Sequence, residues 1–194
     1  MKKILLFLVG TFCFVSAQDF EYVGSKKCKM CHNKKAKGAQ YTKWLNGPHA
    51  KAFETLKSEE SAKIAKAAGI EGKAWTAPEC LKCHSTGFDD GGYEVKCKSF
   101  WNPAKDDKAG GKAMKRMQEL QPVGCESCHG PGSKYKSKKV KKAFVAGEVK
   151  AAEIGLWKID EKTCTVCHNE ESPTYKPFDY EKRVKEIAHP RPQN

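Results

Sequence analysis

Cys28-Lys29-Met30-Cys31-His32 is the first of four copies of one pentapeptide pattern, repeated as Cys80-Leu81-Lys82-Cys83-His84, Cys125-Glu126-Ser127-Cys128-His129 and Cys164-Thr165-Val166-Cys167-His168. Chemistry accounts for the spacing. Two thiols three positions apart sit on one turn of chain, where each can form a thioether to one vinyl group of a single porphyrin. The His that follows lies under the iron and supplies an axial nitrogen. A Cys-x-x-Cys pair also holds zinc, but a structural zinc site has no need of a His directly after every pair. Four copies in 194 residues therefore predict four covalently bound haem c groups. Their attachment sites are Cys28, Cys31, Cys80, Cys83, Cys125, Cys128, Cys164 and Cys167, and their proximal iron ligands are His32, His84, His129 and His168.

The first residues read as a secretory signal peptide: Lys2 and Lys3, an apolar run over 4–15, then Val15-Ser16-Ala17 as a cleavage site. The run is too short for a typical membrane span. Cys13 follows the bulky Phe12, where a lipoprotein signal needs a small residue. The expected mature chain, 18–194, forms one tetrahaem cytochrome c domain in the periplasm. It holds no later apolar run able to cross a bilayer and is not transmembrane once processed. Of its nine cysteines the motifs use eight, leaving Cys97 as a free or partly buried thiol, an iron ligand or one half of an intermolecular disulfide.

The formal charge is +13, two units of which belong to Lys2 and Lys3. Four haems bring roughly eight propionate charges, partly offset by ferric iron. Much of the lysine excess therefore balances cofactor rather than nucleic acid, which is not an expected partner. A residual basic face suits an acidic redox protein. Mean hydropathy is −0.68 and apolar residues make up 39% of the chain, a poor basis for a protein core. The macrocycles supply the missing apolar surface, so haem attachment is expected to drive folding.

The spacing predicts a helix over 34–45 interrupted by Gly38, after which Asn46-Gly47-Pro48 breaks the chain and delivers His49. Ala52, Phe53 and Leu56 form one apolar face. A helix over 58–68 ends at Gly69. Residues 88–95 read as a small hairpin, because Asp-Gly and Gly-Gly favour tight turns, and 96–112 as a loop. A short helix follows over 113–120 with Met114 and Met117. Gly130-Pro131-Gly132 turns sharply, and 134–152 is a lysine-rich solvated helix or loop. A final helix over 179–188, with Asp179 as N-cap, ends at His189. No long strand pattern occurs, and the motif intervals of 52, 45 and 39 residues are too uneven for a solenoid. The fold class is mainly α with extensive loops, a compact multihaem c-type cytochrome whose core is built around its haems.

Six histidines are present, whereas four bis-histidine haems would take eight. His49 and His189, outside the motifs, are candidate distal ligands. Two irons then lack a histidine. Met114 or Met117 could offer a thioether, and a lysine or Tyr135 a nitrogen or oxygen, although core packing accounts for the methionines. Ligation between subunits would create no new histidine. Otherwise one or two haems are five-coordinate and open to water or a small ligand such as nitric oxide.

Three stretches carry a resemblance: Lys26-Lys27-Cys28 through His32 with Pro48-His49-Ala50-Lys51-Ala52-Phe53; Gly124-Cys125-Glu126-Ser127-Cys128-His129-Gly130-Pro131-Gly132; and the fourth motif followed by a helix ending in His189. Together they resemble the tetrahaem cytochrome c-554 family of periplasmic electron carriers over most of the mature chain. The resemblance implies a helical fold with short loops, haems in closely packed pairs, three bis-histidine irons, and a five-coordinate iron on His84. It also implies that His49 and His189 between them serve the third and fourth haems. The family's distal His for the first haem follows the Gly-Pro-Gly of the third motif. Here 133–142 holds Tyr135 and many lysines but no histidine, so that ligand is not identified.

The leading expectation is a periplasmic electron carrier between redox proteins whose identities the sequence does not give. The alternatives are a reductase of nitric oxide or a related nitrogen oxide at an open haem, and a subunit of a multihaem complex or filament. No nucleophile motif or acid–base pair supports hydrolysis or group transfer.

Overall fold

A computed structural model describes residues 20–189, so the signal-peptide reading of 1–17 lies outside the described residues. Within them every regular element is helical. Helix α1 (Lys26–His32) carries the first motif. A single 3₁₀ turn, Lys35–Lys37, ends at Gly38, and α2 (Gln40–Asn46) follows. The break at Gly38 is the expected one, but only one turn forms before it. Trp44 on α2 donates its ring N–H to the Val123 carbonyl at 2.9 Å, pinning α2 beside the third motif.

Gly47 and Pro48 stop α2, and the 3₁₀ turn His49–Lys51 runs into α3 (Ala52–Thr55), burying Phe53 and Leu56. Helix α4 (Glu59–Ala67) starts at Ser58, whose hydroxyl accepts from Ser61 N at 3.1 Å, and gives way to a left-handed Gly69 as expected. The second motif lies on α5 (Pro78–His84), whose first position is proline.

Two sequence expectations need correction. Residues 88–95 turn but form no strand ladder. Asp90 and Gly92 both donate to the Gly87 carbonyl at 3.0 and 2.9 Å, and Tyr93 donates to Thr86 at 2.8 Å. These bonds close a loop whose purpose is packing: Tyr93 drops into the core against Phe53, with ring centroids 5.2 Å apart. Helix α6 (Lys108–Leu120) begins well before residue 113 and takes in Gly110-Gly111. The Asp107 carboxylate caps it, accepting from Gly110 N at 2.8 Å, and burial of Met117 and Leu120 outweighs the helix cost of two glycines.

Helix α7 (Glu126–His129) holds the third motif. Gly130 follows at φ +80°, and a Cβ there would lie 2.3 Å from the Gly155 carbonyl oxygen, so only glycine lets the chain pass. The lysine-rich stretch forms α8 (Lys138–Val145). The fourth motif starts on α9 (Glu161–Thr165), opened by an Asp160–Thr163 capping box. Helix α10 (Tyr180–Ile187) is capped by Asp179, which accepts from Lys182 N at 3.0 Å.

The apolar core is small. Leu81 and Leu120 are wholly buried, joined by Tyr22, Phe53, Leu56, Ala65, Ala74, Tyr93 and Met117 around the second motif. Nothing apolar beyond Ile154 is buried among the described residues, and Trp157 and Val166 stand 45% and 70% exposed beside the fourth motif.

Candidate haem centres

The motif thiols meet one another across the fold. Cys28 hydrogen-bonds Cys125, and Cys83 hydrogen-bonds Cys167, which lowers Cys125 and Cys83 to about 7 and raises their partners. Burial pushes Cys128 up to about 11, with Cys164 beside it adding to the rise. These thiols bring the first motif beside the third and the fourth beside the second.

Buried polar side chains hold this arrangement. Gly124 N donates to the Thr86 hydroxyl at 2.8 Å, and Cys125 N to the Ser25 hydroxyl at 3.1 Å. Thr86, two residues past the second motif, and Ser25, just before α1, are thereby bolted to the start of the third motif. Glu126, fully buried, does more. Its carboxylate accepts from Val23 N at 2.9 Å, Gly24 N at 2.7 Å and Gly132 N at 2.6 Å. Sequence reasoning missed Glu126; its only signal was a carboxylate between the two cysteines of one motif. Lys82 of α5 and Glu171 form an ion pair linking the second motif to the loop after the fourth.

The histidines pair. The His49 ring centre lies 6.1 Å from that of His168, with planes at 65°, and His129 lies 5.9 Å from His189 at 29°. Two imidazoles bound to one metal at about 2 Å each, with about 1 Å from nitrogen to ring centre, would stand about 6 Å apart. Burial lowers all four pKa values, His129 to about 4 with help from His189 and His32. These rings are therefore neutral at pH 7, the form that binds metal. Phe178 stacks on His168 at 4.6 Å, and Lys43 on α2 donates to the Ala188 carbonyl, holding the end of α10 beside His129.

The other two motif histidines have different surroundings. His84 donates its Nδ1–H to the Ala52 carbonyl at 2.7 Å, which orients the ring and leaves Nε2 for a metal. With His49 and His189 both paired elsewhere, His84 faces no second imidazole. His32 has Lys141 Nζ 3.2 Å from its Nε2, and Gln40 hydrogen-bonds its ring.

Two of the remaining candidates are committed to structure, while Met114 on α6 is half-buried. Met117 is buried, its sulfur accepting from Glu94 N at 3.1 Å. Tyr135 donates its hydroxyl to the Gly130 carbonyl, and burial raises its pKa. Cys97 is exposed, with its thiol 3.1 Å from the Ser99 hydroxyl. Among the described residues no three His, Cys, Asp or Glu side chains converge on one point, as a closed zinc cage requires. Paired thiols on single helical turns, each followed by a histidine, fit haem c instead.

Comparison with known proteins agrees. A family model described as cytochrome c554 and c-prime matches residues 27–130. Cytochrome c-554 of Nitrosomonas europaea is 32% identical over 162 residues, spanning 78% of this chain and 59% of that relative's length. A solved structure of reduced cytochrome c554 from Nitrosomonas europaea superposes with a TM-score of 0.53 at 30% identity, covering 87% of this chain and 78% of its own. The chain belongs to the cytochrome c554 and c-prime family, a multihaem c-type cytochrome with four covalently bound haems.

Proposed function

We propose that this cytochrome is a periplasmic electron carrier, accepting single electrons from one redox protein and delivering them to another. Bound haem supplies the one-electron ferric/ferrous couple. The observation that carries the reading is the pairing of motifs across the fold, the first with the third through Cys28 and Cys125 and the second with the fourth through Cys83 and Cys167. One-electron exchange needs cofactors held close, and attachment sites brought together in pairs serve that need better than separated ones.

The residues divide the work. The eight motif cysteines would anchor the porphyrins, and His32, His84, His129 and His168 would each supply a nitrogen to iron. His49 completes the fourth site and His189 the third, on the strength of their ring separations. Glu126, Ser25 and Thr86 keep the third motif fixed between its neighbours. Exposed lysines, such as those flanking the first motif, would steer an acidic partner. Among the described residues no helix is long and apolar enough to cross a membrane.

A reductive titration of the holoprotein tests this. The expected result is four electron equivalents per chain, with all four haems reoxidised by an acidic redox protein at a rate that falls as salt rises. Haems that take up electrons but exchange none with any protein partner would contradict it.

A further inference from the structure

Helix α8 carries four lysines, and Lys141 alone among them is half-buried while Lys138, Lys139 and Lys142 are exposed. Its Nζ lies 3.2 Å from Nε2 of His32, the nitrogen that a haem-attachment histidine presents to iron. Among the described residues Lys141 forms no ion pair with a carboxylate. Gln40 hydrogen-bonds the His32 ring while its own amide donates to the Lys37 carbonyl, so the ring is held in one orientation toward α8.

The same relationship recurs at two other motifs, where a nitrogen donor from a distant segment stands opposite the motif histidine: His49 opposite His168 and His189 opposite His129. Both spare histidines are thereby used. Of the oxygen and sulfur donors considered, Tyr135 is tied to Gly130 and Met117 to Glu94. The geometry points to Lys141 as the sixth ligand of the first haem, opposite His32. This rests on the tetrahaem reading above and supplies the ligand that 133–142, lacking a histidine, otherwise withholds.

The chemistry balances simply. The lysine ammonium releases its proton to solvent, and the neutral amine donates its lone pair to the iron without change of redox state. Widening the nitrogen separation from 3.2 Å to about 4 Å admits a metal at about 2 Å from each, well within the reach of a four-carbon side chain.

The test compares ferric holoproteins by electron paramagnetic resonance and near-infrared magnetic circular dichroism, with haem content measured as the pyridine haemochrome. Lys141→Ala should keep four haems while one low-spin haem becomes high-spin, and the reduced protein should bind one more carbon monoxide than wild type. Lys141→His should restore the low-spin haem with a bis-imidazole signature. Lys142→Ala, altering an exposed neighbour, should change nothing. An unaltered low-spin count in a four-haem Lys141→Ala protein overturns the proposal and reduces the contact to a hydrogen bond. Fewer than four haems in wild type overturns the tetrahaem reading itself, a distinct result. Should Lys141→Ala fail to accumulate, wild type decides: a histidine–amine charge-transfer band supports the proposal, and bis-imidazole low-spin bands alone overturn it.

Discussion

His49 faces His168 across 6.1 Å between ring centres, although 119 residues separate them in the chain. Burial keeps both rings neutral, and the separation is that of two imidazoles sharing one metal. His189 stands to His129 in the same way at 5.9 Å. Removing either distal ring should therefore open one iron without detaching a porphyrin. His49→Ala and His189→Ala are each expected to retain four haems and to convert one low-spin haem to high-spin, visible by electron paramagnetic resonance. A variant that keeps the wild-type low-spin count would remove that histidine from the ligand set.

His84 differs because both spare histidines are engaged elsewhere. Its Nδ1–H is bound to Ala52, and its iron is expected to be open on the far side. The reduced wild-type protein should bind one carbon monoxide per chain. His84→Ala should abolish that site, and the His49 and His189 variants should retain it alongside a second. Absence of any carbon monoxide adduct would close the second haem and end the case for small-ligand chemistry there.

The Glu126 carboxylate is the acceptor for three backbone N–H groups, those of Val23, Gly24 and Gly132, and it is fully buried. Glu126→Ala strands those donors without water. The expected loss is about 3 kcal/mol or more, read as a lower denaturant midpoint at unchanged slope. Glu126→Gln keeps one carbonyl acceptor and should lose less. Equal stability of all three proteins would mean that the clasp is made good by other groups.

So few apolar residues are buried that the polypeptide alone is a weak folding unit. A chain expressed without haem maturation should show no cooperative unfolding transition, while the holoprotein melts cooperatively. Calorimetry of both forms checks this, and a native-like transition in the haem-free chain would contradict it.

The covalent signature was legible because it is local: five consecutive residues suffice for a porphyrin anchor. His49 was legible for a related reason, since Asn46-Gly47-Pro48 announces a break just before it, and Asp179 and the prolines beyond His189 frame α10 in the same manner. What could not be read depended on tertiary partners. Lys141 is one lysine in a run, and only the placement of α8 against His32 distinguishes it. Glu126 is only a carboxylate between two motif cysteines until three distant backbone groups are seen to converge on it. The turn signals over 88–95 were sound, but pairing needs a second strand, and the chain after Tyr93 leads away instead. Gly110-Gly111 argued for a loop, and the Asp107 cap together with buried Met117 and Leu120 overrode it.

Electron paramagnetic resonance of the fully oxidised holoprotein measures most directly how the four irons are completed. Nitrogen pairs at the first, third and fourth motifs and a lone His84 at the second predict three low-spin haems and one high-spin haem per chain. Four low-spin signals, or more than one high-spin haem, would contradict it.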